Sequence, residues 1–251
     1  MATAPVVLLL AASAGAAGDG KWVKTNKELL LKDKKGSISE KFVIGRSEKN
    51  LEYHPEQKFT DKVFVSTDGG VSSDGRFAWI LRDEARWLVS GDKATISLKY
   101  FDQSGEMLWE KNTAMKVNLN RSGDAVAVLE GELKWIAVNE HRNGPGYPKV
   151  YSSSGELLLD FGDCRANEPP FFSGNGRYGA VLCDSVGSQT RAILFDLTKK
   201  IKKEISHPAR VGVGTRDDGA YVLITSYQKY DSVTKKYGEF VTEEIAHGRI
   251  E

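Results

Sequence analysis

The sequence predicts an all-β chain assembled from repeated hairpins. Three observations carry this. First, four stretches share one form: SSDGRFAWIL (Ser72 to Leu81), NRSGDAVAVLE (Asn120 to Glu130), SGNGRYGAVLC (Ser173 to Cys183) and TRDDGAYVLIT (Thr215 to Thr225). Each is a polar turn with a glycine, followed by an apolar run. Second, another unit alternates with them: LKYFDQSGEMLWEK (Leu98 to Lys111), KVYSSSGELLLDF (Lys149 to Phe161) and AILFDLTKKIKKEI (Ala192 to Ile205). Each reads as strand, tight turn, strand, with Asp, Ser or Gly where the backbone reverses. Third, no stretch of a dozen residues keeps apolar positions at helical spacing behind a capping residue. The nearest, TDKVFVS (Thr60 to Ser66), is short and β-branched.

Taken in order, the elements begin with a hairpin in ELLLKDKKGSISEKFVIG (Glu28 to Gly45). The glycine-marked turns follow at Gly75, Gly123, Gly176 and Gly219, a period of roughly 43 to 53 residues. That period holds about four strands, the size of a propeller blade. The runs FAWIL, AVAVL, YGAVLC and AYVLI do not alternate with polar residues, as expected of strands covered on both faces. The expected fold is therefore a β-propeller of four-stranded blades. Five blades fit best, four come next and an open array is third. For closure, the leading hairpin (Trp22 to Gly45) and the last strand-like stretch (Tyr237 to Ile250) would share a blade.

The pattern S-x-D/N-G-[KR]-[YF]-x-A-V, followed by V-x-[LY]-[FY]-D-x-x-G-E-x-L-W, resembles bacterial β-propellers of the WD40-like and PQQ-like kind. The resemblance runs from about Val63 to Thr225. It is specific for architecture and silent on function. The W-D and G-H pairs of WD40 repeats are absent, and no ring of PQQ ligands stands out.

The N-terminus reads differently. MATAPVVLLLAASAGAAGDGK has an apolar run from Val6 to about Ala17, too short to span a bilayer. The triplets Ala12-Ser13-Ala14 and Ala14-Gly15-Ala16 fit a signal peptidase site, although no Lys or Arg precedes the run. Residues 1–18 are expected to be a signal peptide and 19–251 one propeller-like domain, secreted or periplasmic. In an exported protein, Cys164 and Cys183 invite a disulfide. Cys183 also ends the apolar run AVLC and reads equally as a buried small hydrophobe. The four histidines show no ligand spacing, so neither a metal nor another cofactor is expected. A formal net charge of +1 over 251 residues offers no global field for nucleic acid or acidic lipid. The lysine-rich KKIKKE (Lys199 to Glu204) reads as a protected sheet edge.

GNGRYG (Gly174 to Gly179) has the spacing of a dinucleotide fingerprint. That motif needs a helix after it, whereas AVLCDS is strand-like, so the stretch reads as a turn. Gly179 then marks close packing between sheets. STDGGV (Ser66 to Val71) resembles the start of a sialidase-type Asp-box and reads as a D-G-G hairpin turn. Adjacent carboxylates such as Asp83 and Glu84 point to opposite faces of a strand and make no acid/base couple. The long connection NEHRNGPGYPKV (Asn139 to Val150) carries His141, Arg142 and Tyr147 as candidate contact residues. Trp87, Trp109 and Trp135 read as blade packing.

The expected function is a monomeric, noncatalytic binding or scaffold module for a protein or surface glycan. The alternative is a glycan hydrolase or lyase with carboxylates at the axial face.

Overall fold

The computed structural model describes residues 20–91, 93–131, 146–183, 189–208, 211–231 and 235–250. The expected signal segment and Trp135 lie outside them. The described chain is all strand and turn, in five antiparallel sheets. The first holds β1 (Lys21–Lys24), β2 (Glu28–Lys32) and β3 (Ile38–Val43). The second holds β4 (Gly45–His54), β5 (Phe59–Val71), β6 (Ala78–Trp87), β7 (Lys93–Phe101) and β8 (Met107–Lys111). The third holds β9 (Ala114–Leu119), β10 (Ala125–Glu130), β11 (Tyr147–Ser152) and β12 (Leu157–Asp160). The fourth holds β13 (Phe171–Phe172), β14 (Tyr178–Cys183), β15 (Thr190–Asp196) and β16 (Ile201–His207). The fifth holds β17 (Gly212–Thr215), β18 (Ala220–Asp231) and β19 (Lys236–Arg249). Within every sheet, strands pair in chain order.

This is a propeller-like array of five blades, with two departures from the expected one. Only the third and fourth sheets have four strands; the second has five, and the first and last have three. The expected shared blade does not form. β1–β3 and β17–β19 are separate sheets, and no strand of one pairs with the other among the described residues. β19 instead pairs along its length with β18, from Arg249 opposite Ala220 to Lys236 opposite Asp231, and is the edge of the last sheet. The array is open.

The glycine-marked turns build the contacts between blades. Gly75, Gly123, Gly176 and Gly219 have φ of 74°, 78°, 76° and 80°, a region that suits glycine. Each donates its N–H to the carbonyl three residues back, at 2.9 to 3.1 Å. Each also rests on the preceding blade. A Cβ would meet the Trp22 carbonyl at Gly75, Phe77 at Gly123, Asn120 at Gly176 and Tyr178 at Gly219. Backbone bonds follow the same path, from Trp22 N–H to the Gly75 carbonyl at 2.8 Å and from Ser73 N–H to the Arg121 carbonyl at 3.0 Å.

Four apolar clusters fill the four seams between successive blades. Val126, Ala127, Val128 and Leu129 of β10 are all fully buried, which is why AVAVL does not alternate. In the seam between the second and third blades, Tyr100 stacks between Phe77 and Trp109, with centroids 5.7 and 5.0 Å away. Its hydroxyl donates to the Gly123 carbonyl. Trp109 donates Nε1–H to the Ser153 carbonyl at 3.0 Å, and Trp87 packs edge-on against Phe59. Both tryptophans therefore serve packing.

GNGRYG is the end of the turn between β13 and β14 and the first two residues of β14. The packing at Gly179 is within its own sheet rather than between sheets: a Cβ there would lie 2.2 Å from the carbonyl oxygen of Phe171 on β13 and 2.3 Å from Phe195 on β15. The D-G-G reading of STDGGV is corrected. Asp68, Gly69 and Gly70 lie inside β5, opposite Leu81, Ile80 and Trp79, and the turn comes later, after Val71. The glycines are there to admit Trp79: a Cβ on Gly70 would sit 2.5 Å from its indole nitrogen.

Candidate functional site

The first blade is short and the second long, so one face of the second stands partly uncovered. Pairing register determines which residues share that face. Thr67 lies opposite Arg82, and Arg82 opposite Ser97. Ile80 lies opposite Lys99, Lys99 opposite Glu110, and Glu84 opposite Thr95. Together with Phe42 and Val43 of β3, these residues line an open cleft of about 1000 Å³.

The cleft has a partly apolar floor, Phe42 and Ile80, and a polar wall. Its carboxylates already have partners. Glu84 is held by Arg82 at 3.2 Å and Arg86 at 2.7 Å, two positions either side of it on the same strand. Glu110 accepts a hydrogen bond from the Ser97 hydroxyl at 2.5 Å. Here one carboxylate is flanked by cations and the other meets a hydroxyl. The wall offers ionic and hydroxyl groups suited to holding a polar ligand.

The candidate loop residues fare differently. His141 and Arg142 lie outside the described residues. Tyr147 is the first residue of β11, half-exposed and paired with Glu130, so it belongs to a strand rather than to a free loop. The Arg165 guanidinium lies 5.8 Å from its ring. The base of the connection is pinned by the bridge between Gly146 and Ala166, whose two backbone bonds are both 2.8 Å.

Cys164 and Cys183 are bonded, with Cα atoms 5.1 Å apart. The bridge ties the segment between the third and fourth blades to the end of β14, within the core cluster of that seam. Asp83 and Glu84 do point to opposite faces, and only Glu84 lines the cleft. The cleft residues were hidden in the sequence because they come from five strands and carry no motif. The alternation Ile80, Arg82, Glu84 was the available signal, a strand with one polar face. A second missed grouping is Glu52, His54 and Asp61, whose donor atoms converge within 4.8 Å.

No protein-family model matches the chain, and no curated protein is similar to it in sequence. Solved structures are similar in fold. The β-propeller domain of the Trilobed protease from Pyrococcus furiosus, described as having an open velcro topology, is 9% identical with a TM-score of 0.44 over 73% of this chain. An oligogalacturonate lyase in complex with manganese is 14% identical, TM-score 0.43, over 82%. TolB from Acinetobacter baumannii is 10% identical, TM-score 0.36, over 90%. The resemblance is to β-propellers. The chain spans 57%, 55% and 65% of those three structures. The fold assignment rests on strand order and seam packing rather than on these scores.

Proposed function

We propose that this chain is an exported, noncatalytic binding module that holds a protein or surface glycan in the cleft between its first two blades. The observation that carries this is the pairing of the cleft carboxylates, Glu84 with Arg82 and Arg86 and Glu110 with Ser97. Paired groups are held in place and present a preorganised hydrogen-bonding surface to a ligand. Export is supported by the buried disulfide, a bond that persists in oxidising compartments, and by the signal-like first 18 residues. The module acts as a monomer.

A second reading is a glycan hydrolase or lyase in the same cleft. What favours it is that Glu84, Glu110 and Arg82 line one cavity. The experiment is an array of surface glycans and an affinity capture of envelope and secreted proteins, each run with the natural chain and with an Arg82→Ala, Lys99→Ala double variant. A ligand retained by the first and lost by the second supports the cleft. Equal retention by both places the ligand elsewhere.

A further inference from the structure

The hairpin formed by β4 and β5 brings three metal-binding side chain types to one point. Glu52, His54 and Asp61 each place a donor atom within 4.8 Å of the other two. Register explains the convergence. His54 pairs with Phe59 and Tyr53 with Thr60, but pairing shifts between Asn50 and Tyr53. Residues two apart share a strand face, so Glu52 and His54 project together. In the register of the His54–Phe59 and Tyr53–Thr60 pairs the next position, Glu52, comes opposite Asp61 on the facing strand, before the pairing shifts.

Two further observations point to a shared ligand. His54 Nε2 lies 3.1 Å from Asp61 Oδ2, at ion-pair distance, and is out of solvent contact without a well-aligned hydrogen bond. Atoms that are close but misaligned for hydrogen bonding are placed as two ligands of one ion would be. With metal–ligand bonds of about 2.0–2.2 Å at tetrahedral or octahedral angles, neighbouring ligand atoms lie about 3 Å apart. The other oxygen, Asp61 Oδ1, accepts the Val89 N–H at 2.8 Å. That bond fixes the rotation of the carboxylate, the kind of outer support that metal-binding carboxylates use.

We propose that Glu52, His54 and Asp61 bind one divalent transition-metal ion, with zinc(II) the expected species. One imidazole and two carboxylates form a mixed nitrogen and oxygen set that suits zinc. Calcium takes six to eight oxygen ligands, and magnesium keeps most of its water. Three protein ligands leave a coordination position for water or an external donor. The His54 and Asp61 side chains are 22% and 13% exposed, which leaves a route for the ion, and Glu52 is on the surface. The ion would clamp β4 to β5 at the end away from the glycine-marked turns.

The test is calorimetric titration of the chelator-treated full chain with zinc chloride. One ion per chain should bind saturably, with a rise in Tm. Each of His54→Ala, Asp61→Asn and Glu52→Gln should weaken uptake at least about 10-fold, since even outer-shell losses cost about 10–100-fold. Glu52 is exposed, so Glu52→Gln remains informative if the other two variants fold poorly. Absence of saturable uptake overturns the site. So does uptake that survives any one of the three substitutions undiminished, which would place the ion elsewhere, for instance at His207 or His247.

Discussion

Arg177 grips Asp196 with two prongs, Nε to Oδ1 at 3.0 Å and Nη2 to Oδ2 at 2.7 Å, and Asp196 is fully buried. Asp196 also accepts the N–H groups of Thr198 at 2.8 Å and Lys199 at 3.2 Å. The pair joins the Gly176 turn to the turn after β15. Asp196→Ala removes the anion and leaves two N–H groups and a guanidinium without it. Because Arg177 is partly in solvent, the expected cost is that of leaving the buried N–H groups without their acceptor, about 1–3 kcal/mol. Urea unfolding of the variant beside the natural chain measures it.

The same pair sets a pH dependence. The Arg177 hydrogen bonds, with those from Lys199 and Thr198, hold the Asp196 carboxyl below the usual carboxylate range against the opposing effect of burial. A carboxyl lowered on folding stabilises the native state fully above its unfolded pKa of about 3.9. That contribution disappears as pH falls through the native value. Stability should fall below about pH 4, and the fall should be shallower in Asp196→Ala. Thermal unfolding from pH 6 down to pH 2 reads both slopes.

Gly179 has no room for a methyl group. Its missing Cβ would lie 2.2 Å from the Phe171 carbonyl oxygen and 2.3 Å from Phe195, itself fully buried. Gly179→Ala should cost about 3 kcal/mol by overpacking. Gly36→Ala is the control. Gly36 has φ 84° with nothing within 4 Å of its Cβ position, so it pays only the left-handed backbone cost of about 1–2 kcal/mol. Paired denaturation curves should rank Gly179→Ala well below Gly36→Ala.

The disulfide closes a loop of 19 residues between Cys164 and Cys183. A loop of that size restricts the unfolded chain by about 3 kcal/mol. Both sulfurs belong to residues buried in the core cluster, so mild reductant should reach them only after the seam opens. Reduction under denaturing conditions, followed by refolding with the thiols blocked by a small reagent, should lower the unfolding midpoint. Thiol titration of the native chain should find no free cysteine.

Architecture was legible where it depends on local chemistry. The turns at Gly75, Gly123, Gly176 and Gly219 need a positive φ, and that requirement appears in the sequence as a recurring glycine. Doubly covered strands appear as unbroken apolar runs such as AVAVL. Glycines serving a close approach were harder to read. Gly69 and Gly70 look like a turn, and only the position of Trp79 shows why a strand needs them. Closure was not legible, because it depends on which distant strand meets the free edge of β19, and residue type along β19 does not encode that. The cleft was hidden for a similar reason. Phe42, Thr67, Arg82, Ser97 and Glu110 come from separate strands, and only register unites them. Glu52, His54 and Asp61 meet across a hairpin whose pairing shifts, so their spacing along the chain resembles no ligand motif.

Turnover tests the binding reading most directly. The natural chain, Glu84→Gln and Glu110→Gln are each incubated with the glycans retained on the array. Released reducing ends report hydrolysis, and ultraviolet absorbance of unsaturated products reports elimination. The binding reading predicts retention of ligand with no product from any of the three proteins. Product formed by the natural chain and abolished by either substitution would contradict it, and would make the cleft between the first two blades an active site.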